Sequence, residues 1–280
     1  MKNIIKTPYS LRFDPARLTQ AIDWHGHLAF AAWLIETLRP HILVELGVFR
    51  GDSFAAFAQA VREQDVDCKL FGVDTWQGDA TTGTYDDVYP ELKDYFDIHH
   101  PSARLMRMLF DSAISEFADG SIDLLHVDGC HEYAAVKQDY EMWKPKISDR
   151  GVILFHDIEV LADGFGVYQY WREVRDQYPS FSFKHGNGLG ILLVGKDVPE
   201  ELLILSRDAV ECEKFKAIHE ALGGRFFYRA KAKYWQTEHK NLGSRLCNAQ
   251  LEIERLNDTH APAVQMGQPS WTRRLIDKIT

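Results

Sequence analysis

The chain has 280 residues, with 32 Lys and Arg against 41 Asp and Glu, a formal net charge of −9. That length accommodates one large α/β domain with an appendage or two modest domains, and 45% hydrophobic with 26% charged residues is the balance of an ordinary globular protein. The charge is uneven: residues 1–200 hold 19 basic and 31 acidic side chains (−12), residues 201–280 hold 13 and 10 (+3), and an acidic body argues against nucleic acid as a partner.

No apolar run is long enough for a transmembrane helix, and the N-terminus MKNIIKTPYSLRFD lacks the apolar stretch of a secretory signal. The four cysteines, Cys68, Cys130, Cys212 and Cys247, form no CxxC pair, so neither a zinc knuckle nor a disulfide framework is expected. The expected compartment is the reducing cytoplasm.

In chain order, residues 23–38 carry an apolar stripe (Trp24, Leu28, Trp33, Leu34, Leu38) that stops at Pro40, which predicts an N-terminal helix delivering the chain into a first strand. Short runs bounded by Gly, Asp or Pro then read as buried strands: His41–Leu46, Cys68–Val73, Arg104–Leu109, Ile122–Val127 and Val152–Phe155. Helical stretches are expected between them, at about 52–64, 87–97, 112–118 and 131–143, and again near 165–178. Phe181–Lys184 and Ile191–Val194, split by HGNGLG, read as a closing hairpin. This βαβα alternation predicts a mostly parallel sheet with helices on both faces and an antiparallel C-terminal hairpin.

The last eighty residues differ. Tyr228, Ala232, Trp235, His239, Leu242, Leu246, Ala249, Ile253 and Leu256 step by alternating intervals of four and three, a heptad seam interrupted by the polar His239. Gly243 inside it costs about 1 kcal/mol of helix stability. Such a seam fits either an amphipathic helix packed on its own domain or a dimerising coiled coil. The expected division is an N-terminal segment over 1–40, an α/β domain over 41–197, a helical extension over 198–257 and a flexible tail over 258–280.

The most informative stretch is VELGVFRGDS, residues 44–53, in which a strand ends in Glu45, a turn carries Gly47 and Gly51, and a helix begins near Asp52 or Ser53. Gly47 and Gly51 let backbone pass close to a ligand beside free N–H groups of the helix. A dinucleotide site would have G-x-G-x-x-G with pyrophosphate on the helix end. Here the spacing is G-x-x-x-G, and the carboxylate before it suits an ammonium or sulfonium ligand better than a pyrophosphate. The cofactor this suggests is S-adenosylmethionine. Asp74 follows the second strand, where an α/β nucleotide site places a carboxylate for the ribose hydroxyls, and Asp111-Ser112 past the third strand would flank the adenine.

A second cluster, HVDGCHEY (126–133) with FHD (155–157), puts Asp128, His131, His156 and Asp157 at the ends of the fourth and fifth strands, which share one crevice in an open parallel sheet. Carboxylate oxygens suit Mg²⁺, and a histidine suits removal of a hydroxyl proton. The structural alternatives are a turn aspartate at Asp74, a helix cap at Asp128 and a core histidine at His156.

Residues from about 24 to 196 resemble the class I S-adenosylmethionine-dependent methyltransferases of the D-G-x-H-x-Y branch, through VELGVFRGDSF, VDTWQGD, IDLLHVDGCHEYAAVKQDYEMWKPK, RGVILFHDI, FGVYQYW and HGNGLGILLVG. The resemblance implies a Rossmann-like seven-stranded sheet with one antiparallel strand and a methyl donor lying across Gly47, Gly51 and Asp74. The signature is similar to that of metal-dependent sugar O-methyltransferases, which implies Asp128 and Asp157 as Mg²⁺ ligands and His131 as base. His156 stands where that family usually has Glu or Asp, which makes it the third candidate metal ligand beside Asp128 and Asp157, although a neutral imidazole is a poorer Mg²⁺ ligand. The domain is also similar to methyltransferase modules beside bacterial glycosyltransferases, where an S-x-x-W-R-type connector, here Ser270–Arg274, would lead to the partner enzyme.

These readings give an S-adenosylmethionine-dependent O-methyltransferase acting on a hydroxyl of a sugar, glycan or glycosylated metabolite, with Mg²⁺ as a candidate aid and the polar loop Trp76–Pro90 as lid or acceptor wall. Residues 228–256 would join a second copy or a glycosyltransferase. The competing readings are a nicotinamide-dependent oxidoreductase and a non-catalytic assembly module.

Overall fold

The computed structural model describes residues 8–78, 83–84 and 86–260, the side chains of 257–260 excepted. After α1 (Tyr9–Arg12), a 3₁₀ turn (Ile22–His27) leads into α2 (Leu28–Leu38). Then come β1 (Ile42–Leu46), α3 (Asp52–Glu63), β2 (Lys69–Asp74), α4 (Tyr89–His99), β3 (Ala103–Arg107), α5 (Phe110–Ala113), β4 (Ile122–Val127), α6 (Tyr133–Trp143) and β5 (Ile147–His156). The chain ends with α7 (Val167–Val174), β6 (Ser180–Phe183), β7 (Leu189–Leu193), α8 (Glu200–Arg207) and α9 (Ala209–His260).

The seven strands form one sheet in the order β3-β2-β1-β4-β5-β7-β6. The contacts among β1 to β5 are parallel, and β7 runs antiparallel to both β5 and β6. The expected mostly parallel sheet with a closing hairpin is therefore present, and β4 is buried along its whole length, as a strand covered on both faces must be.

Strand parity sorts the interior into two cores. Leu43, Leu124, Val152 and Leu154 pack with α2 and α3, while Val44, Leu46, Leu125, Val127, Ile153 and Phe155 pack with α6 and α7. Side chains alternate across a strand, so Glu45, His126 and His156 fall on the α2–α3 side. Glu45 and His126 stand opposite each other in the β1–β4 register. A polar seam is thereby threaded through an otherwise apolar layer.

Two elements depart from the sequence expectations. The helix expected over 23–38 starts as a 3₁₀ turn, closely packed at Gly26, where a Cβ would come within 2.8 Å of the His185 ring. The strand expected over 152–155 begins at Ile147 and passes through an irregular register with β4 near Gly151, whose absent Cβ would meet Ile147 at 2.0 Å. A β-branched count cannot see a strand that continues through Ser-Asp-Arg-Gly. The expected C-terminal helical extension is present as α9, which stays helical for 52 residues through Gly223, Gly224 and Gly243.

The chain divides into two compact units, one ending at Lys231 and one beginning at Ala232. Leu202, Leu205, Cys212, Phe226 and Ala230 are buried in the first unit, with Phe226 edge-on to Phe13 and Phe215 against Trp33. Much of the stretch expected as an extension from residue 198 thus packs on the α/β layers. The tail over 261–280, with Ser270–Arg274, lies outside the described residues. Among the described residues no helix is long and apolar enough to cross a membrane.

Candidate active site

The C-terminal ends of the parallel strands open into one cavity of about 590 Å³, within the size range of small-molecule sites. It is lined by the β1–α3 turn, by Asp74, by Asp111 after β3, by residues 128–131 after β4 and by His156 and Asp157 after β5. Two further walls were not foreseen from the sequence: Ala21, Asp23 and Trp24 of the N-terminal turn, and Ala135, Gln138, Asp139 and Met142 of α6. The α6 set recurs at helical intervals of three and four, the one signal that would have found it.

The turn after β1 is held by its own chain. Gly47 has φ +88°, and a Cβ there would lie 1.9 Å from the Asp128 carbonyl oxygen. Its missing side chain makes room for the β4 end rather than only for a ligand. Gly51 (φ +77°) would meet Leu92 at 2.6 Å. Asp74 fixes the turn from below: Oδ2 accepts the N–H groups of Val48 (2.9 Å) and Phe49 (2.8 Å), and Oδ1 accepts that of Trp76 (2.7 Å). Phe49 and Trp76 both have positive φ, conformations that these three hydrogen bonds help to hold. A carboxylate has about four acceptor sites, so a ligand reaching Asp74 meets a group already largely engaged.

Asp52, expected to cap α3, instead clamps the N-terminal segment. Its oxygens accept Thr19 N–H (2.7 Å), Thr19 O–H (2.5 Å) and His25 Nε2–H (3.1 Å). Gly51 takes the cap position.

Glu45 is fully buried and is absent from the cavity lining. Trp24 Nε1–H donates to His126 Nε2 (3.1 Å), which places the His126 proton on Nδ1, and that N–H donates to Glu45 (2.9 Å). Ser53 O–H donates to the other Glu45 oxygen (2.9 Å). Burial raises the Glu45 carboxyl pKa, opposed by these partners. Glu45 lies one layer behind the cavity and acts on it through His126, orienting the Trp24 wall.

At the β3 side, Asp111 lines the cavity and Ser112 does not; its O–H donates to Asp111 at 3.0 Å. Asp139 faces the same region, and burial together with the charge of Asp111 lifts its pKa to about 7.

At the other end stand two carboxylates and two imidazoles. His131 Nε2 is 2.8 Å from Asp157 and 3.9 Å from Asp128. His156 Nε2–H donates to the Gly186 carbonyl (2.9 Å), and its Nδ1 points between Asp128 (3.2 Å) and Asp157 (3.4 Å). Burial opposes charge on all four. The mutual attraction outweighs it, raising His131 to about 9 and His156 well above its ordinary value. For the same reason Asp128 and Asp157 are held well below the usual carboxylate range. Asp157 has φ +60°, a left-handed conformation that aspartate tolerates better than most residues. Among the described residues, Asp128, His131 and Asp157 have ligand atoms within 4.8 Å of one another, a possible metal-holding group. The imidazole in that group is His131, whereas the sequence reading put His156 in the metal set and His131 outside it.

Among the described residues of the loop after β2, the aromatic side chains of Trp76 and Tyr89 do not line the cavity. Trp76 is buried, donates Nε1–H to the Phe49 carbonyl (2.9 Å) and packs on Tyr89. Thr75 and Gly78 line the cavity, while residues 79–82 and 85 lie outside the described set.

Residues 44–158 match a family model described as a methyltransferase domain. A protein of Sinorhizobium fredii (strain NBRC 101917 / NGR234), described as uncharacterized protein y4gI, is 43% identical over 209 residues, 74% of this chain and 23% of that one. The chain therefore spans about a quarter of that relative's length. Similar solved structures include CalS11, a calicheamicin methyltransferase, at 17% identity over 59% of this chain and 77% of that one, TM-score 0.49. The O-methyltransferase NovP matches at 16% over 60% and 79%, TM-score 0.48, and the SAH-bound methyltransferase PaMTH1 of Podospora anserina at 13% over 66% and 92%, TM-score 0.46. These scores, all below 0.5, describe a loose likeness of architecture. Residues 44–158, which match that methyltransferase-domain model, hold the glycine turn, Asp74 and the carboxylate–imidazole cluster at the strand ends of the seven-stranded sheet.

Proposed function

We propose that the chain transfers a methyl group from S-adenosylmethionine to a hydroxyl of a sugar, glycan or glycosylated metabolite. One observation carries the reading. Among the described residues seven aspartates line the cavity, and Arg50 is the single Lys or Arg there. An acidic lining repels a pyrophosphate and favours a cationic ligand, which disfavours the nicotinamide alternative. Asp111 and Asp139 offer acceptors for an exocyclic amine, and Asp74 retains an acceptor site for a ribose hydroxyl. S-adenosylmethionine, when bound, supplies an electrophilic methyl on a positively charged sulfur.

The residues at the β4 and β5 ends then serve the acceptor. His131 is the base for the acceptor hydroxyl, oriented by Asp157. In the ligand-free cluster it holds a proton at neutral pH, and a positive charge placed in the cavity moves its pKa back toward neutrality. Trp24 and Asp23 form the acceptor-side wall, an aromatic face beside a carboxylate that suits a sugar ring. Positioning and exclusion of water supply most of the remaining rate enhancement.

The donor set also fits a divalent ion. Asp128, Asp157 and the His156 imidazole, whose Nδ1 points between them, would hold it while His131 keeps the role of base, and it would lower the pKa of a hydroxyl bound to it. Imidazole among the donors favours Mn²⁺ or Zn²⁺ over Mg²⁺.

Calorimetric titration of the full chain with S-adenosylmethionine, with NAD⁺ as comparison and in Mg²⁺, Mn²⁺ or chelator, tests the reading. Saturable binding of the methyl donor alone is expected. A folded sample that binds NAD⁺, or neither ligand, overturns it and revives the oxidoreductase or assembly-module reading.

A further inference from the structure

We propose that the distal half of α9 pairs with the same segment of a second copy as an antiparallel two-stranded coiled coil, in a register set by alternating charges at one flank of its apolar seam. The inference is independent of the methyltransferase reading.

The seam is present and, among the described residues, more than half exposed. Trp235, Leu242, Leu246, Ile253 and Leu256 lie on one helix between 51% and 62% exposed, an apolar stripe that water does not favour. With Trp235 and Leu242 at d positions and His239 and Leu246 at a positions, the g positions are Lys231, Glu238, Arg245 and Glu252. Their signs alternate strictly. The e positions, Gln236, Gly243 and Gln250, carry no charge.

That asymmetry selects an orientation. In a parallel pair each g residue faces an e residue of the next heptad, so Lys231, Glu238 and Arg245 would face Gln236, Gly243 and Gln250 with no ion pair. In an antiparallel pair g faces g. Placing the two-fold axis between His239 and Leu242 sets Glu238 against Arg245 of the second copy and Lys231 against Glu252 of the second copy, so all four contacts join opposite charges. The core layers agree with the same register: Trp235 meets Leu246, Ala232 meets Ala249, and each His239 meets Leu242 rather than another His239. Glu252 also lies 3.7 Å from Arg255 within its own helix, an exposed contact of little consequence. The seam is self-complementary, so a second copy satisfies it without any other partner.

Light scattering of the full-length protein is expected to give a dimer at micromolar concentration. Lys231→Glu with Arg245→Glu makes every g position acidic, and the dimer dissociation constant should rise at least tenfold. Adding Glu238→Lys and Glu252→Lys reverses all four signs and should restore it. In a Cys247→Ser background, a mixture of Ala232→Cys and Ala249→Cys chains should cross-link to each other, and Ala232→Cys alone should not. A monomeric wild type overturns the proposal and leaves the seam to a different protein, such as a glycosyltransferase. A dimer indifferent to the charge changes, or cross-linked through Ala232→Cys alone, overturns the antiparallel register.

Discussion

The two ends of the cavity are built in opposite ways. The turn after β1 is shaped by main chain: Asp74 takes three N–H groups, and Gly47 makes way for the Asp128 carbonyl. The cluster after β4 and β5 is shaped by side-chain charge, with His131 and His156 shared between Asp128 and Asp157. The first is rigid and answers to sterics. The second answers to protons and cations. Under the proposed methyl transfer, binding of the donor and activation of the acceptor are therefore expected to be separable by mutation, although a side chain at Gly47 would collide with Asp128.

The largest effect expected is at the point of that touch. Gly47→Ala puts a methyl 1.9 Å from the Asp128 carbonyl at a backbone angle of +88°, a steric and conformational conflict worth about 3 kcal/mol or more. Chemical denaturation should show the lost stability and calorimetry the lost donor binding; a variant that binds normally would mean the turn is looser than described. Next comes the cluster. His131→Ala should lower turnover by roughly 10²–10⁴-fold while donor affinity stays within about twofold of wild type. Equal loss of both would erase the contrast between the two ends.

The pH dependence sharpens it. With chelator present, kcat/KM for the methyl donor should climb as pH rises toward about 9, because in the ligand-free cluster the proposed base His131 must first lose the proton that Asp128 and Asp157 hold on it, whereas kcat, read with the cationic donor bound, should level off nearer neutrality. A profile flat above pH 6 would place the base elsewhere, with His156 next in line. The smallest effect concerns Asp139. Its folded pKa of about 7 lies above the ordinary carboxylate value, so the folded state binds the proton more tightly and stability falls as pH rises from about 4 through 7. Asp139→Asn should therefore raise the melting temperature most at pH 8 and progressively less as pH falls through 5 toward 4.

How much of this was legible in the chain follows from distance along it. Strands announced by runs such as ILVEL and IDLLHV were readable because a covered parallel strand is apolar on both faces. Gly47, Asp74, Asp128, His131 and Asp157 were readable because topology carries strand ends to one crevice. The pairing of Glu45 with His126 was not, since it depends on the β1–β4 register between residues 81 positions apart. Trp24 was assigned to a helix stripe and lies instead on a cavity wall, because the turn around Gly26 is set by the packed His185 ring. Asp139 was passed over inside an unremarkable helix.

The close approach at Gly26 has a second partner with a practical consequence for dissecting the protein. A Cβ at Gly223 would come within 1.8 Å of the Gly26 carbonyl oxygen, and Arg225 donates to the Phe13 carbonyl at 2.7 Å. The start of α9 is thus a stopper seated on the turn that carries Trp24. Trimming the gene after the last strand would uncork that turn, so the smallest self-sufficient piece extends to Lys231, and the helix can be cut only beyond it.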